Sequence, residues 1–235
     1  MITKKEFCRR QDHALLRQYC TNDEVKHWCE QAMKYGFASV CVNPCEVERC
    51  KELLRGSNVG VGTVVGYPQG VNTTATKIFE ALDAIERGAD ELDVVINVSR
   101  FKNGEYDYVE DELKQVIAAV KAKRADVIVK VIIERHWITD EELPIICEIL
   151  IRGGADYIKE ATGYAGGEDH MGAFDIRKIK AIVGDRIKIK SAFGPGETPA
   201  ELVLAIEYGA ERVGGNMSDI LLERTPEEFW LPEIE

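Results

Sequence analysis

Short apolar runs rich in valine and isoleucine alternate with longer amphipathic stretches along the whole chain. Runs that are apolar at nearly every position are typical of strands buried on both faces, as in a parallel sheet. Seven such strands are clear, and an eighth is indicated, by a weaker pattern, at Gln11–Leu15. The clear ones are predicted at Ala38–Asn43, Gly60–Gly66, Glu91–Asn97, Val127–Glu134, Asp156–Lys159, Ile187–Ala192 and Glu211–Gly214.

Helices are predicted between the strands, and each of the clearest ends at a glycine, which is a common helix stop. A phrase of glycine, alanine and an acid recurs before three strands, at 88–90, 154–156 and 209–211, and indicates a repeated helix-to-strand connection. The clearest helices are predicted at Asn22–Tyr35, Thr74–Arg87 and Asp140–Arg152.

Eight strand–helix units in 235 residues, with no break in composition, predict a single domain, residues 1–235. The expected fold class is α/β, a (β/α)8 TIM barrel. An open doubly wound sheet is less favoured, because no glycine-rich dinucleotide fingerprint follows the first strand.

Net charge and cysteine content limit the binding partners, metal sites and compartments that are expected. The net charge of −11 disfavours binding to nucleic acid or to anionic membranes, which attract clustered lysine and arginine. The seven cysteines are odd in number and lack a disulfide framework, and Cys41 and Cys45 have no second pair at metal-ligand spacing. We therefore expect reduced thiols, no metal, a cytoplasmic location and, since the N-terminus has no apolar run, no signal peptide.

Four charged residues lie within otherwise apolar strands: Asp93, Lys130, Lys159 and Lys190. Burial of such groups is costly unless they are paired or functional, and a structural ion pair would explain any one of them. Four on neighbouring strands favour an active site, which in TIM barrels lies at the C-terminal ends of the strands.

Clustered lysines suit one kind of chemistry. A lysine among other cations has a lowered pKa, so part of it is a free amine that attacks carbonyl groups. The resulting iminium accepts electrons from a breaking carbon–carbon bond, and a nearby carboxylate can move protons. Two lysines and an aspartate therefore predict Schiff-base catalysis with no metal or organic cofactor.

The sequence resembles the 2-deoxyribose-5-phosphate aldolase family over nearly its whole length. The resemblance implies a class I aldolase that reversibly cleaves 2-deoxyribose 5-phosphate to acetaldehyde and glyceraldehyde 3-phosphate. It is carried by DHALL (12–16), SVCVNP (39–44), GADELDVVIN (88–97), VKVIIE (129–134) and GADYIKEATGY (154–164).

The resemblance also implies roles for individual residues. Lys159 would form the Schiff base, Lys190 would make it nucleophilic, and Asp93 would move protons. Barrels of this family are often dimers or larger, so a homo-oligomer with a small aldehyde or sugar-phosphate substrate is expected. The implied substrate-binding residues are Asp12, Cys41, Lys130, Thr162, Gly163, Gly194, Gly214 and Gly215.

The sequence departs from the family near the expected phosphate site. Phe193 replaces one of two adjacent glycines, and Met217 replaces a hydroxyl residue. Directly after Lys159, Glu160 replaces a threonine. These changes fit either ordinary drift with phosphate binding retained or an aldolase with a changed acceptor.

Arg135 stands where the family has threonine, and it would be either a replacement anion contact or a solvent-exposed loop charge. His136 and His170, in rim loops, are expected to be solvated or locally bonded rather than catalytic. Two other classes of function stay open: a sugar-phosphate isomerase, epimerase or decarboxylase that forms no imine, and a non-enzymatic binding barrel.

Overall fold

Eight parallel strands close into a barrel in chain order, and β8 pairs with β1. The computed structural model describes residues 2–165, 172–193, 198–216 and 218–233. This confirms the (β/α)8 TIM-barrel fold, including the weakly predicted first strand, and the other strand ends lie within two residues of prediction. The strands are β1 Gln11–Leu15, β2 Ser39–Val42, β3 Gly60–Val65, β4 Glu91–Val95, β5 Ile128–Ile132, β6 Tyr157–Lys159, β7 Lys188–Ala192 and β8 Arg212–Gly215.

Helices connect the strands and surround the barrel. The second helix, α2, has the predicted bounds, whereas α7 begins three residues later than predicted because Thr139 and Glu142 form a turn before it. The helices are α1 Lys4–Cys8, α2 Asn22–Tyr35, α3 Val47–Leu53, α4 Thr74–Glu86, α5 Val98–Lys102, α6 Tyr106–Lys123, α7 Leu143–Gly153, α8 Ala173–Val183, α9 Pro199–Glu207 and α10 Ser218–Arg224. None of them has the length and apolar character needed to cross a bilayer.

The apolar core lies between the barrel and its helices. Outward residues of the strands, such as Leu92 and Ile158, belong to the cluster of buried hydrophobic side chains. The inward residues that alternate with them include the charged groups Asp93 and Lys159, which are also buried. Alternation along each strand therefore directs apolar side chains towards the helices and polar side chains into the barrel.

The repeated glycine–alanine–acid phrase has a structural cause. Its glycine ends the helix with a positive φ, which is 108° at Gly88, 83° at Gly154 and 112° at Gly209. The acid then forms two hydrogen bonds with the second residue of the preceding strand. Its carboxylate accepts a hydrogen bond from that residue's backbone amide, and its backbone N–H donates to that residue's carbonyl oxygen. The carboxylate contacts measure 3.0 Å from Val61 to Asp90, 2.8 Å from Val129 to Asp156, and 2.8 Å from Ile189 to Glu211.

Candidate active site

A carboxylate joins two lysines near the C-terminal end of the barrel. The Nζ of Lys159 lies 2.8 Å and the Nζ of Lys190 lies 3.0 Å from Oδ2 of Asp93. Lys159 and Lys190 are paired in register on β6 and β7, so the sheet itself holds them side by side. All three side chains are buried, and the three predicted catalytic residues are therefore brought together by the fold.

A lower layer of charge supports this group. The Nζ of Lys130 lies 3.2 Å from Oδ1 of Asp93 and 3.4 Å from Oδ2 of Asp12, and it also contacts Glu91. Lys190 reaches Asp12 as well, at 2.7 Å. Lys130 and Asp12 thus contact the catalytic side chains from below, inside the barrel.

Two members of the layer, Arg212 and Glu91, were not predicted as site residues. Arg212 bridges Asp12, at 2.5 Å, and Glu91, at 3.0 Å. The available signal was strand alternation, because Glu91 shares a face with Asp93, and Arg212 shares one with Gly214. With them, the described strands place four basic and three acidic side chains in this network.

The network fixes the charge of most of its members. Burial opposes ionisation of Asp93, but Lys130 and the two neighbouring lysines outweigh it and hold the pKa of Asp93 well below its usual range. Burial likewise opposes the charge of Lys190, but Asp12 and Asp93 outweigh it and raise the pKa of Lys190. Lys190 is therefore a cation at neutral pH and Asp93 a carboxylate.

Cys41 lies on the inner face of β2, beside this cluster. It is 1% exposed. Burial, with a smaller contribution from Asp93, raises the pKa of the Cys41 thiol to about 11. A neutral thiol there gives the barrel interior a small, weakly polar wall.

A cleft of about 590 Å³ lies at the mouth of the barrel. Val95, two residues beyond Asp93 on β4, lies on its floor, and the aromatic residues Trp137 and Tyr164 line its sides. The hydroxyl of Tyr67 donates to the carbonyl oxygen of Thr162 at 2.7 Å, and its ring packs edge-on against Tyr164. The cleft therefore has a partly apolar lining at the same end of the barrel as the lysines.

Thr162 and Gly163 shape the wall of this cleft. The Thr162 hydroxyl donates to Glu134, and the amide of Tyr164 donates to the same hydroxyl at 3.0 Å. Gly163 has a φ of 84°, which side chains other than glycine rarely adopt. Thr162 lines the cleft, whereas Gly163 turns the chain between Thr162 and Tyr164.

The glycines of β8 are required by packing. A Cβ on Gly214 would lie 2.5 Å from the carbonyl oxygen of Asp12, and one on Gly215 would lie 2.7 Å from the ring of Phe193. The Phe193 ring is itself buried, 7% exposed, over Gly215. Gly194, Met217 and His170 lie outside the described residues.

Arg135 is neither a solvent-exposed loop charge nor a lining residue of the cleft. It is 8% exposed, and its Nε lies 3.1 Å from Asp175 on α8, while its other nitrogens contact Asp140 and the carbonyl of Ile138. The expectation of a solvated charge is wrong, because two carboxylates hold the guanidinium beneath the loop. His136, half-buried, packs its ring edge-on against Trp137.

Over the described ranges, no group of three or more histidine, cysteine, aspartate or glutamate side chains is arranged to hold a metal ion. The charged groups inside the barrel pair with one another instead.

Comparison with known proteins gives a consistent picture. The sequence profile of the DeoC/LacD family of aldolases matches residues 10–198. A deoxyribose-phosphate aldolase from Caldanaerobacter subterraneus is 42% identical over 212 residues, which are 90% of each chain. The solved structure of QR15, an aldolase, superposes with a TM-score of 0.85 at 33% identity, over 95% of this chain and 96% of that one. A tetrameric deoxyribose phosphate aldolase from Aeropyrum pernix has a TM-score of 0.83 at 26% identity, over 94% and 91%.

Proposed function

The chain belongs to the DeoC/LacD family of aldolases, and we propose that it is a class I aldolase that reversibly cleaves 2-deoxyribose 5-phosphate to acetaldehyde and glyceraldehyde 3-phosphate. The observation that carries the proposal is the buried contact of 2.8 Å between Lys159 and Asp93, with Lys190 on the same carboxylate oxygen. Such a set suits imine chemistry and proton transfer.

The reaction begins when Asp93 or a water takes a proton from Lys159, whose free amine then attacks the C1 aldehyde of the substrate. Loss of water gives an iminium. The C3 hydroxyl loses its proton and the C2–C3 bond breaks, which releases glyceraldehyde 3-phosphate and leaves an enamine on Lys159. Protonation of C2 and addition of water then release acetaldehyde and restore the amine.

The charged neighbours have distinct tasks in this scheme. Asp93 carries the proton between Lys159 and the substrate, because its Oδ2 already contacts the Nζ of Lys159. Lys190 remains a cation and lies on the same carboxylate oxygen as Lys159. Lys130, Asp12 and Arg212 hold Asp93 and Lys190 in place from below.

Substrate binding is assigned to the mouth of the barrel. Thr162 would contact the sugar from the cleft, and the amides of Gly214 and Gly215 lie at the end of β8, where the phosphate would bind. Gly194 is expected to join them. Cys41 would border the bound aldehyde.

We also propose that residues 1–235 form one barrel domain and that the protein is a cytoplasmic homo-oligomer. The tetrameric relative from Aeropyrum pernix supports an oligomer. All seven cysteines are free thiols, which suits a reducing compartment.

The proposal is tested by trapping the imine. The protein is incubated with acetaldehyde and borohydride, and peptide mass spectrometry should find one ethyl group on Lys159. Lys159→Met should abolish both the adduct and the cleavage of 2-deoxyribose 5-phosphate. Lys188→Met is the matched control, because Lys188 is an exposed lysine at the base of β7, where it lies over Tyr157. Cleavage by Lys159→Met at the wild-type rate would refute the proposal.

A further inference from the structure

Glu160 is a buried carboxyl group between the C-terminal ends of β6 and β7. It directly follows Lys159 and is 0% exposed. Its Oε1 accepts the Ser191 hydroxyl at 2.9 Å and the Ala192 amide at 2.6 Å. Ser191 in turn directly follows Lys190, so the contact joins the outward-facing neighbours of the two lysines.

The Glu160 carboxylate takes the place of one backbone hydrogen bond between β6 and β7. On β7, the amide of Lys188 donates to the carbonyl of Asp156, and rungs of a parallel ladder recur every second residue. Regular pairing would therefore give a further hydrogen bond, from the Ala192 amide to the backbone carbonyl of Glu160. That carbonyl instead accepts the amide of Arg135 at 2.7 Å, and the Glu160 side chain receives Ala192.

We propose that Glu160 is a positioning residue, whose ionised carboxylate fastens β6 to β7 and so holds Lys159 and Lys190 at the spacing that imine formation requires. The inference rests on the proposed Schiff-base function. β6 has only three residues, and its regular pairing with β7 stops at the two lysines. The side-chain contact is therefore the first connection between the strands beyond the reactive groups.

The strength of this contact depends on pH. Burial raises the pKa of Glu160 to about 7, although the hydrogen bonds from Ser191 and Ala192 and the charge of Lys159 act in the opposite direction. Its other oxygen, Oε2, has no hydrogen-bond partner among the described residues and is the natural site for a proton. Protonation leaves a neutral carboxyl group, which is a weaker acceptor than the anion.

Several charged groups lie on the elements around Glu160, and the charge of Lys159 lowers its pKa. Lys159 precedes it on β6, and Lys190 lies on the opposite face of β7. On the loop after β5, Arg135 is paired with Asp175 of α8, and Glu134 accepts the Thr162 hydroxyl.

The test measures the rate of imine trapping with acetaldehyde and borohydride between pH 5.5 and 8.5. In the wild type the rate should rise with an inflection near pH 7. Glu160→Gln keeps the shape and a neutral acceptor but does not ionise, so it should lose this inflection and be slower at pH 8 by roughly tenfold. Ser191→Ala removes a donor that stabilises the anion and should move the inflection upwards by about one pH unit.

The matched control is Glu211→Gln. Glu211 also accepts a β7 amide, at 2.8 Å from Ile189, but at the opposite end of the strand. This variant should keep the wild-type pH profile. An unchanged inflection in Glu160→Gln, or an equal loss in both variants, would overturn the proposal.

A second measurement is independent of catalysis. Amide hydrogen exchange of the peptide that contains Ala192, corrected for intrinsic rates, should accelerate below pH 7 in the wild type but not in Glu160→Gln. If no imine forms on Lys159 at any pH, the proposed function fails, whereas the exchange data still decide whether Glu160 fastens the strands. Exchange that is independent of the protonation of Glu160 would refute the fastening itself.

Discussion

Glu160→Gln should gain stability relative to the wild type as the pH rises from 5 to 8, although it slows the enzyme. The pKa of Glu160 is about 7 in the folded chain because of burial, and 4.5 is its ordinary value. The folded state therefore holds this proton more tightly than the unfolded state does. Stability from this group is complete below about pH 4.5 and is lost as the pH rises to about 7.

The magnitude follows from the two pKa values. Relative to low pH, the titration of Glu160 lowers the free energy of unfolding by about 3 kcal/mol at pH 8 but by only about 1 kcal/mol at pH 5. The stability difference between Glu160→Gln and the wild type should therefore shift by about 2–3 kcal/mol in favour of the variant between these pH values. Any constant cost of the new amide group cancels in this comparison.

Urea unfolding at pH 5 and pH 8, followed by circular dichroism, measures this shift. Glu211→Gln is the control, since Glu211 is only partly buried and its stability difference should be similar at the two pH values. A difference for Glu160→Gln that is the same at both pH values would show that Glu160 is not the buried, proton-binding group inferred from its surroundings.

Three other predictions follow from the charged interior. Asp93→Asn should still trap acetaldehyde on Lys159, because the nucleophilic lysine is retained, but cleavage should fall by roughly 10² to 10⁴-fold in steady-state assays; turnover within a few-fold of wild type would contradict the proton-transfer role. Arg135→Ala should lower the free energy of unfolding in urea by about 1–3 kcal/mol, since it leaves Asp175 without its partner, and it should not change the ratio of KM values for phosphorylated and unphosphorylated substrates; a selective rise for the phosphorylated one would place Arg135 in binding. The pKa values of Asp12 and Asp93 are held low in the folded chain by the lysines, against burial, so their stabilisation is complete above about pH 4 and is lost as the pH falls further; urea midpoints that stay constant from pH 6 to pH 3 would contradict this.

The strands and the catalytic residues could be predicted because their signals are local. Buried parallel strands require apolar residues at most positions, so a lysine or aspartate within them is conspicuous. The repeated glycine–alanine–acid phrase likewise marks a connection whose glycine needs a positive φ. Both kinds of evidence are present in a few adjacent residues.

The other features depend on contacts between distant residues. Arg212 is one residue within a short strand, and only barrel closure brings it to Asp12, 200 positions away. Arg135 looks like a free loop charge until α8 supplies Asp175. In the sequence, Glu160 is only a polar substitution after Lys159. Its burial could not be predicted, because it depends on how the ends of β6 and β7 are covered.

The acids of the repeated phrase divide the barrel into pairs of strands. They fasten β3 to β4, β5 to β6, and β7 to β8, always at the base. At the base of β6 and β7 the described residues supply a backbone contact, from Lys188 to Asp156, and the Lys188 ammonium over the Tyr157 ring, but no carboxylate contact of this kind. Lys159 and Lys190 thus lie on neighbouring strands, β6 and β7, that belong to different fastened pairs. Glu160 links these two strands at their catalytic ends. A shift of β7 along β6 would therefore change the distance between Lys159 and Lys190 directly, because the two lysines are paired in register on these strands.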